Sequence, residues 1–328
     1  MTRPYHPVNT EALTTYSIAR REHKAAVAQM ASLPEAGASA RELLASMPDL
    51  LGGAALRSVA RAMVDATHGD RPVVVATGAH LIKVGCGPVI IDLVRRGVIK
   101  AIACNGAAAI HDVELATGGE TSEEVADTIR DGTFGMVTET LTFFNDVVAL
   151  AGREEIGLGD AVGKLLVDRD APNRDRSLFA VAREEGVPVC VHVAVGTDTI
   201  HVSSGMDGGL LGAASLRDFR LICDVVSDLG AKPGDPSGVG GVWCNIGSAV
   251  VMPEVFLKAV SVARNLGANL DAMVAANFDM IRHYRPTQNV ITRPVCKGRG
   301  FEVIGQHEIL LPLLRQAVVE GLAEANGS

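Results

Sequence analysis

The chain has 328 residues, 48% of them hydrophobic and 21% charged, with 35 Gly and a formal net charge of −8 at pH 7. That is globular composition, neither disordered nor low in complexity, and without a Lys/Arg stripe it excludes a nucleic-acid footprint. The longest apolar runs, such as Val187–Val195, fall far short of the ~20 residues that span a bilayer, and the N-terminus MTRPYHPVNTEAL lacks the apolar core of a signal peptide.

A cytoplasmic protein with no membrane partner is therefore expected. Its six Cys (Cys86, Cys104, Cys190, Cys223, Cys244, Cys296) lie within or beside apolar runs without CxxC spacing. They are read as reduced, buried thiols, and no metal is expected.

Residues 9–68 are expected to be helical and to lack strands. Asn9 and Thr10 are placed to cap a first helix, and Ser39–Ser46 and Ala54–Thr67 carry apolar residues at three-to-four spacing. From Arg71 the pattern changes to short β-branched runs, each followed by a polar or Gly-rich turn and a helical stretch. Val73–Ala76 leads through TGAHLIKVGCG to a helix over Pro88–Arg96, and Ile99–Cys104 leads to NGAAAIHD. Thr121, in T-S-E-E, reads as a helix N-cap; helices follow over Phe134–Leu150 and Asp160–Val167, then a loop at Pro172–Arg176. A helix over Ser177–Glu185 feeds a strand over Val187–Val195, the loop GTDTIHVSSGMDGG and a helix over Leu216–Leu229. After an exposed turn at 230–241 come a strand over Val242–Asn245, IGSAVVMP and a helix over Glu254–Leu266. A strand over Ala272–Ala276 precedes NFDMIRHYRP, a strand over Phe301–Ile304 ends at GQHE, and a helix over Ile309–Ala325 closes the pattern.

Strands alternating with helices predict an α/β fold: a Rossmann-like, mainly parallel sheet with helices on both faces. It occupies one domain over residues 71–328, preceded by an N-terminal helical extension over 1–70. Ligands of such sheets bind beyond the carboxyl ends of the strands, where helix N-termini point their free N–H groups. The six predicted ends carry Thr77/His80, Asn105/His111/Asp112, Thr197/Asp198/His201, Asn245/Ser248, Asn277/Asp279/His283 and His307/Glu308. Five of the nine His fall at these ends, whereas the opposite ends offer turn-like Gly, Pro, Arg and Lys. Any one His reads equally as a structural residue; the set reads as a functional crest.

Glycines at the same ends allow close approach of a ligand to the backbone. Gly85-Cys86-Gly87 is not a GxGxxG fingerprint, and Gly247-Ser248 is either a phosphate cradle or a tight turn. His111-Asp112 with Asp198 and His201 offers mixed N/O donors, as in a hydrolase of C–N bonds with or without metal, but fits no named metal motif. No G-x-S-x-G, H-E-x-x-H or P-loop pattern occurs.

At these loops the sequence resembles the deoxyhypusine synthase family, in a divergent bacterial deoxyhypusine-synthase-like branch. The resemblance covers about residues 71–317. It is carried by ATGAHLIKVGCGPVIIDLVRRGVIKAIACNGAAAIHDVE (76–114), VGTDTIH (195–201), NIGSAVVMPEVFLKA (245–259), AANFDMIRHYRP (275–286) and GQHEILLPLLRQA (305–317). It implies NAD at the strand ends near a subunit interface, a homotetramer, and oxidation of a polyamine followed by transfer through a lysine imine. The family's cofactor turn Thr-Ser-Asn-Leu falls on Thr77, Gly78, Ala79 and His80. Its Thr-Ala-Gly-Gly falls on Asn105, Gly106, Ala107 and Ala108, and its Thr-Asp-Gly on Thr197 and Asp198. The glycine run falls on Gly247 and Ser248, and the late Asp-Ala pair on His307 and Glu308.

Two departures stand out. The position of the family's catalytic lysine falls near Arg293-Pro294, so Lys297 is reached only across a gap, and the family's His pair becomes Glu254-Val255. The expected function is thus an NAD-dependent enzyme acting on a small amine, with a cofactor crest and an altered substrate side. Asp279, His283 and Arg285 are candidates there, with Lys83 and Lys297 as candidate imine-forming lysines; Lys258 pairs with Glu254 at helical spacing and is a poorer candidate. A C–N hydrolase on the same crest and a non-catalytic NAD-binding protein are the alternatives.

Overall fold

The computed structural model describes residues 5–327. Its elements are α1 (Ala40–Ser46), α2 (Leu51–His68), β1 (Val73–Thr77), α3 (His80–Lys83), α4 (Gly87–Arg95), β2 (Ile99–Asn105), α5 (Gly106–Gly118), α6 (Val125–Asp131), α7 (Thr138–Glu154), α8 (Leu158–Asp168) and α9 (Leu178–Glu184). There follow β3 (Val189–His192), α10 (Gly208–Ser227), β4 (Val242–Ile246), α11 (Val251–Asn265), β5 (Val274–Asp279), α12 (Tyr284–Asn289), β6 (Gly300–Ile304) and α13 (His307–Gly327).

All strand pairings are parallel, and the sheet runs β3-β2-β1-β4-β5-β6. This is the doubly wound order whose winding reverses between β1 and β4, opening a crevice at their carboxyl ends. Strand side chains alternate between two cores. Val73 and Val75 of β1 join one apolar cluster, with Cys244 and Phe278, while Val74 and Ala76 join the other. The second cluster lies under α10 and α11, where Trp243 stacks on Phe256 with ring centroids 4.3 Å apart.

The N-terminal region departs from the expectation. No helix starts at Asn9 or Thr10; Asn9 Oδ1 instead accepts the Glu11 N–H in a local turn. Leu13, Tyr16, Ile18, Val27 and Leu33 are all exposed there. A short helix with no apolar face to bury is marginal in water, and this segment has none to pack against. Ser39 does cap α1, in a capping box with Glu42. α2 then buries Leu56, Val59 and Met63 in the same cluster as β1 and packs on β6 and α13.

Two buried carboxylates lock the helices around the sheet. Asp112 of α5 accepts the Ser177 hydroxyl and the Leu178 N–H at the start of α9. Asp218 of α10 accepts N–H groups from Gly159 of α8 and Val191 of β3. Five cysteines are buried as expected, but Cys296 is exposed in the turn before β6. Among the described residues no helix is long and apolar enough to cross a membrane.

Candidate functional site

The strand ends deliver two adjoining groups of side chains. The first stands at the crevice between β1, β4 and β5. Gly78 donates its N–H to Ile246 O, so β1 and β4 remain hydrogen-bonded one residue past the strand. Gly247 continues from β4 with φ +58°, and a Cβ there would lie 2.7 Å from His307 Cε1. Only glycine takes that conformation without strain. His307, at the start of α13, donates from Nε2 to Phe278 O at 3.1 Å, which leaves a lone pair on its buried Nδ1. Burial holds its pKa below the ordinary imidazole value, against the opposing pull of the Phe278 carbonyl. The His80 ring lies 5.2 Å away, and its Nε2 is likewise buried without a partner. Beneath them Asn245 donates to Asn277 Oδ1 at 2.8 Å and to Ser248 O, leaving Asn245 Oδ1 and Asn277 Nδ2 unpaired. Ser248 Oγ accepts the Met252 N–H in the first turn of α11.

The second group lines an open cavity of about 580 Å³ between α3, α5, α7 and the loop after β3. Lys83, Ala107, Thr197 and Asp198 of the predicted residues lie on its wall, together with His111. Asn105 caps α5 by accepting the Ala108 N–H at 3.0 Å. The Asp198 carboxylate faces the same helix start: its pKa is raised by burial, with His201 and the Ala107 N–H acting in the opposite direction. Asn105 and Asp198 thus both face the α5 N-terminus, where a ligand anion is expected from the sequence. The wall carries five carboxylates (Glu114, Glu120, Glu123, Glu139, Asp198) against one ammonium, Lys83.

Other predicted residues lie at the edge of the first group or apart from both. Lys297 is exposed in the turn that enters β6, at the amino end of the sheet and hence opposite the crest. Asp279 is buried at the end of β5, accepting the Met280 N–H, with His283 Nε2 3.9 Å from it. Glu308 points outward, exposed on the first turn of α13. The hydrolase constellation is not assembled. Asp112 is fully buried and engaged with α9, its pKa raised to about 6 by that burial. His201 Nδ1 accepts the Gly196 and Asp198 N–H groups of its own loop. Among the described residues no group of three or more His, Cys, Asp or Glu is placed to hold a metal ion.

Thr121 is not a helix cap. Its hydroxyl donates to Glu114, and His111 Nδ1 lies 2.6 Å from it, while α6 is capped by Glu124. Glu114 and Thr140 were not singled out by the sequence, and Thr121 only as a cap, because no fixed spacing links the three. His192, buried at the end of β3 with its pKa lowered to about 4 by burial, was hidden inside an apolar run.

No protein-family model and no curated protein matches the sequence. Solved structures share the fold. A conserved protein of the LOR/SDH type from Methanococcus maripaludis S2 is 14% identical over 81% of this chain and 68% of its own, with a TM-score of 0.51. AgrE, in a ternary complex with ornithine and NAD+, is 13% identical with a TM-score of 0.51; the match spans 82% of this chain but 33% of AgrE. A protein assigned as a deoxyhypusine synthase from Entamoeba histolytica is 12% identical over 87% of this chain and 94% of its own, with a TM-score of 0.50. At such identities the likeness establishes a deoxyhypusine-synthase-like fold.

Proposed function

We propose that this chain is an NAD-dependent enzyme acting on a small amine, with the cofactor at the β1/β4 crevice and the substrate in the adjoining cavity. One observation carries the reading. Of the ten buried side-chain polar atoms without a partner among the described residues, seven belong to His80, His192, Asp198, His201, Asn245, Asn277 and His307. All of these sit at or just past the carboxyl ends of strands. Unpaired buried polar groups are costly, at roughly 1–3 kcal/mol each, so their concentration on one crest fits a polar ligand held there.

The residues present suit NAD. His80 and His307 offer ring nitrogens, the Asn245–Asn277 pair offers one acceptor and one donor, and Gly78 and Gly247 carry no side chain to press on the Gly247 carbonyl and the His307 ring respectively. Pyrophosphate is assigned to the Gly78–His80 and Gly247–Ser248 turns rather than to α5, whose N-terminus faces Asp198. Bound there, NAD would supply hydride acceptance from a carbon bearing nitrogen. The acid-lined cavity suits a cationic amine, and AgrE, of like fold, is seen with ornithine and NAD+.

Lys83, exposed on the cavity wall, is the lysine we assign to attack an imine carbon of the oxidised substrate, displacing its amine and holding the carbon skeleton for transfer. Without such an attachment the same site performs simple amine oxidation. We also assign a cytoplasmic homo-oligomer, a tetramer by the sequence resemblance. It is supported by the exposed apolar residues Val195, Val250, Ile281, Tyr284 and Ile309 along the crest rim.

Native mass spectrometry of the purified protein tests the reading. A co-purified dinucleotide, or one taken up on addition of NAD, is expected. A bound metal in place of the dinucleotide, with no uptake of NAD, would transfer the crest to a different chemistry.

A further inference from the structure

His111 lies on the cavity wall with its side chain 18% exposed. Its Nδ1 is 2.6 Å from Thr121 Oγ1, and Thr121 Oγ1 donates its proton to Glu114 Oε2. The other oxygen of Glu114 accepts from Thr140 Oγ1 of α7 at 3.0 Å, so the carboxylate is held from two sides. A hydroxyl carries one proton. With that proton directed to Glu114, Thr121 can meet His111 only as an acceptor, which places the imidazole proton on Nδ1. Nε2 is then left with its lone pair, and it makes no hydrogen bond among the described residues.

The charges facing the ring are Glu114 on its own helix, Lys83 from α3, and the wall carboxylates Glu120, Glu123, Glu139 and Asp198. Burial lowers the His111 pKa, Glu114 opposes that and Lys83 adds to it, which keeps the ring neutral near pH 7. A neutral imidazole of fixed tautomer, with a bare nitrogen in an acid-lined cavity, is a base awaiting a cationic proton donor.

We infer that His111 Nε2 accepts the proton of the substrate ammonium, with Thr121 and Glu114 as the residues that position it; this rests on the amine reading above. An ammonium has no lone pair with which to support loss of hydride from its carbon. Transfer of one ammonium proton to Nε2 gives an imidazolium and a neutral amine. NAD, held at the adjoining crevice, would supply the acceptor for the hydride of that C–H bond, and the nitrogen lone pair freed at His111 would then form C=N. The imidazolium returns its proton to water through the open side of the cavity.

The test reads the tautomer directly, by imidazole 15N resonances of the full chain without added cofactor. His111 is expected to show a protonated Nδ1 and a bare Nε2 near neutral pH. Titration with 1,4-diaminobutane, ornithine or ammonium chloride should shift its Nε2 resonance. Thr121→Val should move His111 to the Nε2–H form and weaken binding of the shifting probe by roughly tenfold, the scale of one charge-assisted hydrogen bond. Thr121→Ser should restore both, which a purely space-filling role for Thr121 would not require. An Nε2–H tautomer in the wild type, or an Nε2 resonance that none of the three probes moves, overturns the inference. A parallel NAD titration keeps the two claims apart: no NAD uptake with the tautomer intact counts against the cofactor alone.

Discussion

Asp198 stands directly over Gly106: a Cβ on Gly106 would lie 2.1 Å from Asp198 Oδ2. That carboxylate oxygen is buried without a partner, so the absence of a side chain at Gly106 is what lets the loop after β3 close onto the start of α5. Gly106→Ala should therefore cost roughly 1–3 kcal/mol of stability by overpacking. Combined with Asp198→Ala it should cost much less. Urea unfolding of the two single variants and the double variant gives the coupling; strictly additive losses would show that the two residues do not meet.

Gly247 is a sharper probe of the crevice, because its φ of +58° and its closeness to His307 both oppose a side chain. Gly247→Ala is expected to leave a folded chain with NAD affinity reduced at least tenfold. Calorimetry with circular dichroism on the same sample checks this. Unchanged affinity in the folded variant moves the cofactor away from β4.

Lys83→Ala should abolish turnover of any amine substrate and its borohydride trapping while sparing NAD binding. Lys297→Ala should alter neither, since Lys297 lies at the far end of the sheet. Mass spectrometry of trapped peptides locates the attachment. If no lysine is trapped with an amine that is turned over, simple hydride chemistry on a free substrate replaces covalent transfer.

Burial raises Asp218 to about 7 and Asp112 to about 6. A carboxyl raised on folding binds protons more tightly in the native state. Each therefore disfavours folding increasingly as pH rises from the unfolded value near 4 to the folded value, and is level above it. His192, lowered to about 4, acts in the opposite sense over the acidic part of that range. The readout is accordingly a difference: Asp218→Asn should lose less stability relative to wild type at pH 8 than at pH 5. A gap independent of pH would mean that Asp218 ionises normally in the fold.

The crest was legible in the sequence because parallel strands buried on both faces are continuous apolar runs. β1, β2 and β4 were read to within about one residue, and their ends supplied Thr77, Asn105 and Asn245. Misreadings arose where local signals had been diverted. T-S-E-E suggested a cap, but the Thr121 hydroxyl bonds Glu114. Gly208-Gly209 were read as the end of a loop, but Asp207 caps a helix there by accepting the Leu210 N–H, so α10 starts eight residues before the expected Leu216. The run Val187–Val195 contains only the four-residue β3, since Val195 and its neighbours already belong to the exposed loop. The strand expected over Ala272–Ala276 instead runs Val274–Asp279, so Asn277 and Asp279 are strand residues. Asp112 looked like a crest residue from its place after β2, but helical rotation turns it inward toward α9 while His111 faces the cavity.

The assembly is open to direct measurement. Multi-angle light scattering at micromolar concentration should give a multiple of the 34.2 kDa chain mass, with four chains expected. A monomer would leave the apolar crest rim without the partner assigned to it.

The central claim is that the β1/β4 crevice holds NAD. Isothermal titration of the wild-type protein with NAD measures this most directly. Saturable binding, stoichiometric with the chain and weakened in His307→Ala, is the predicted result. The absence of any saturable heat in wild-type protein shown to be folded would contradict it.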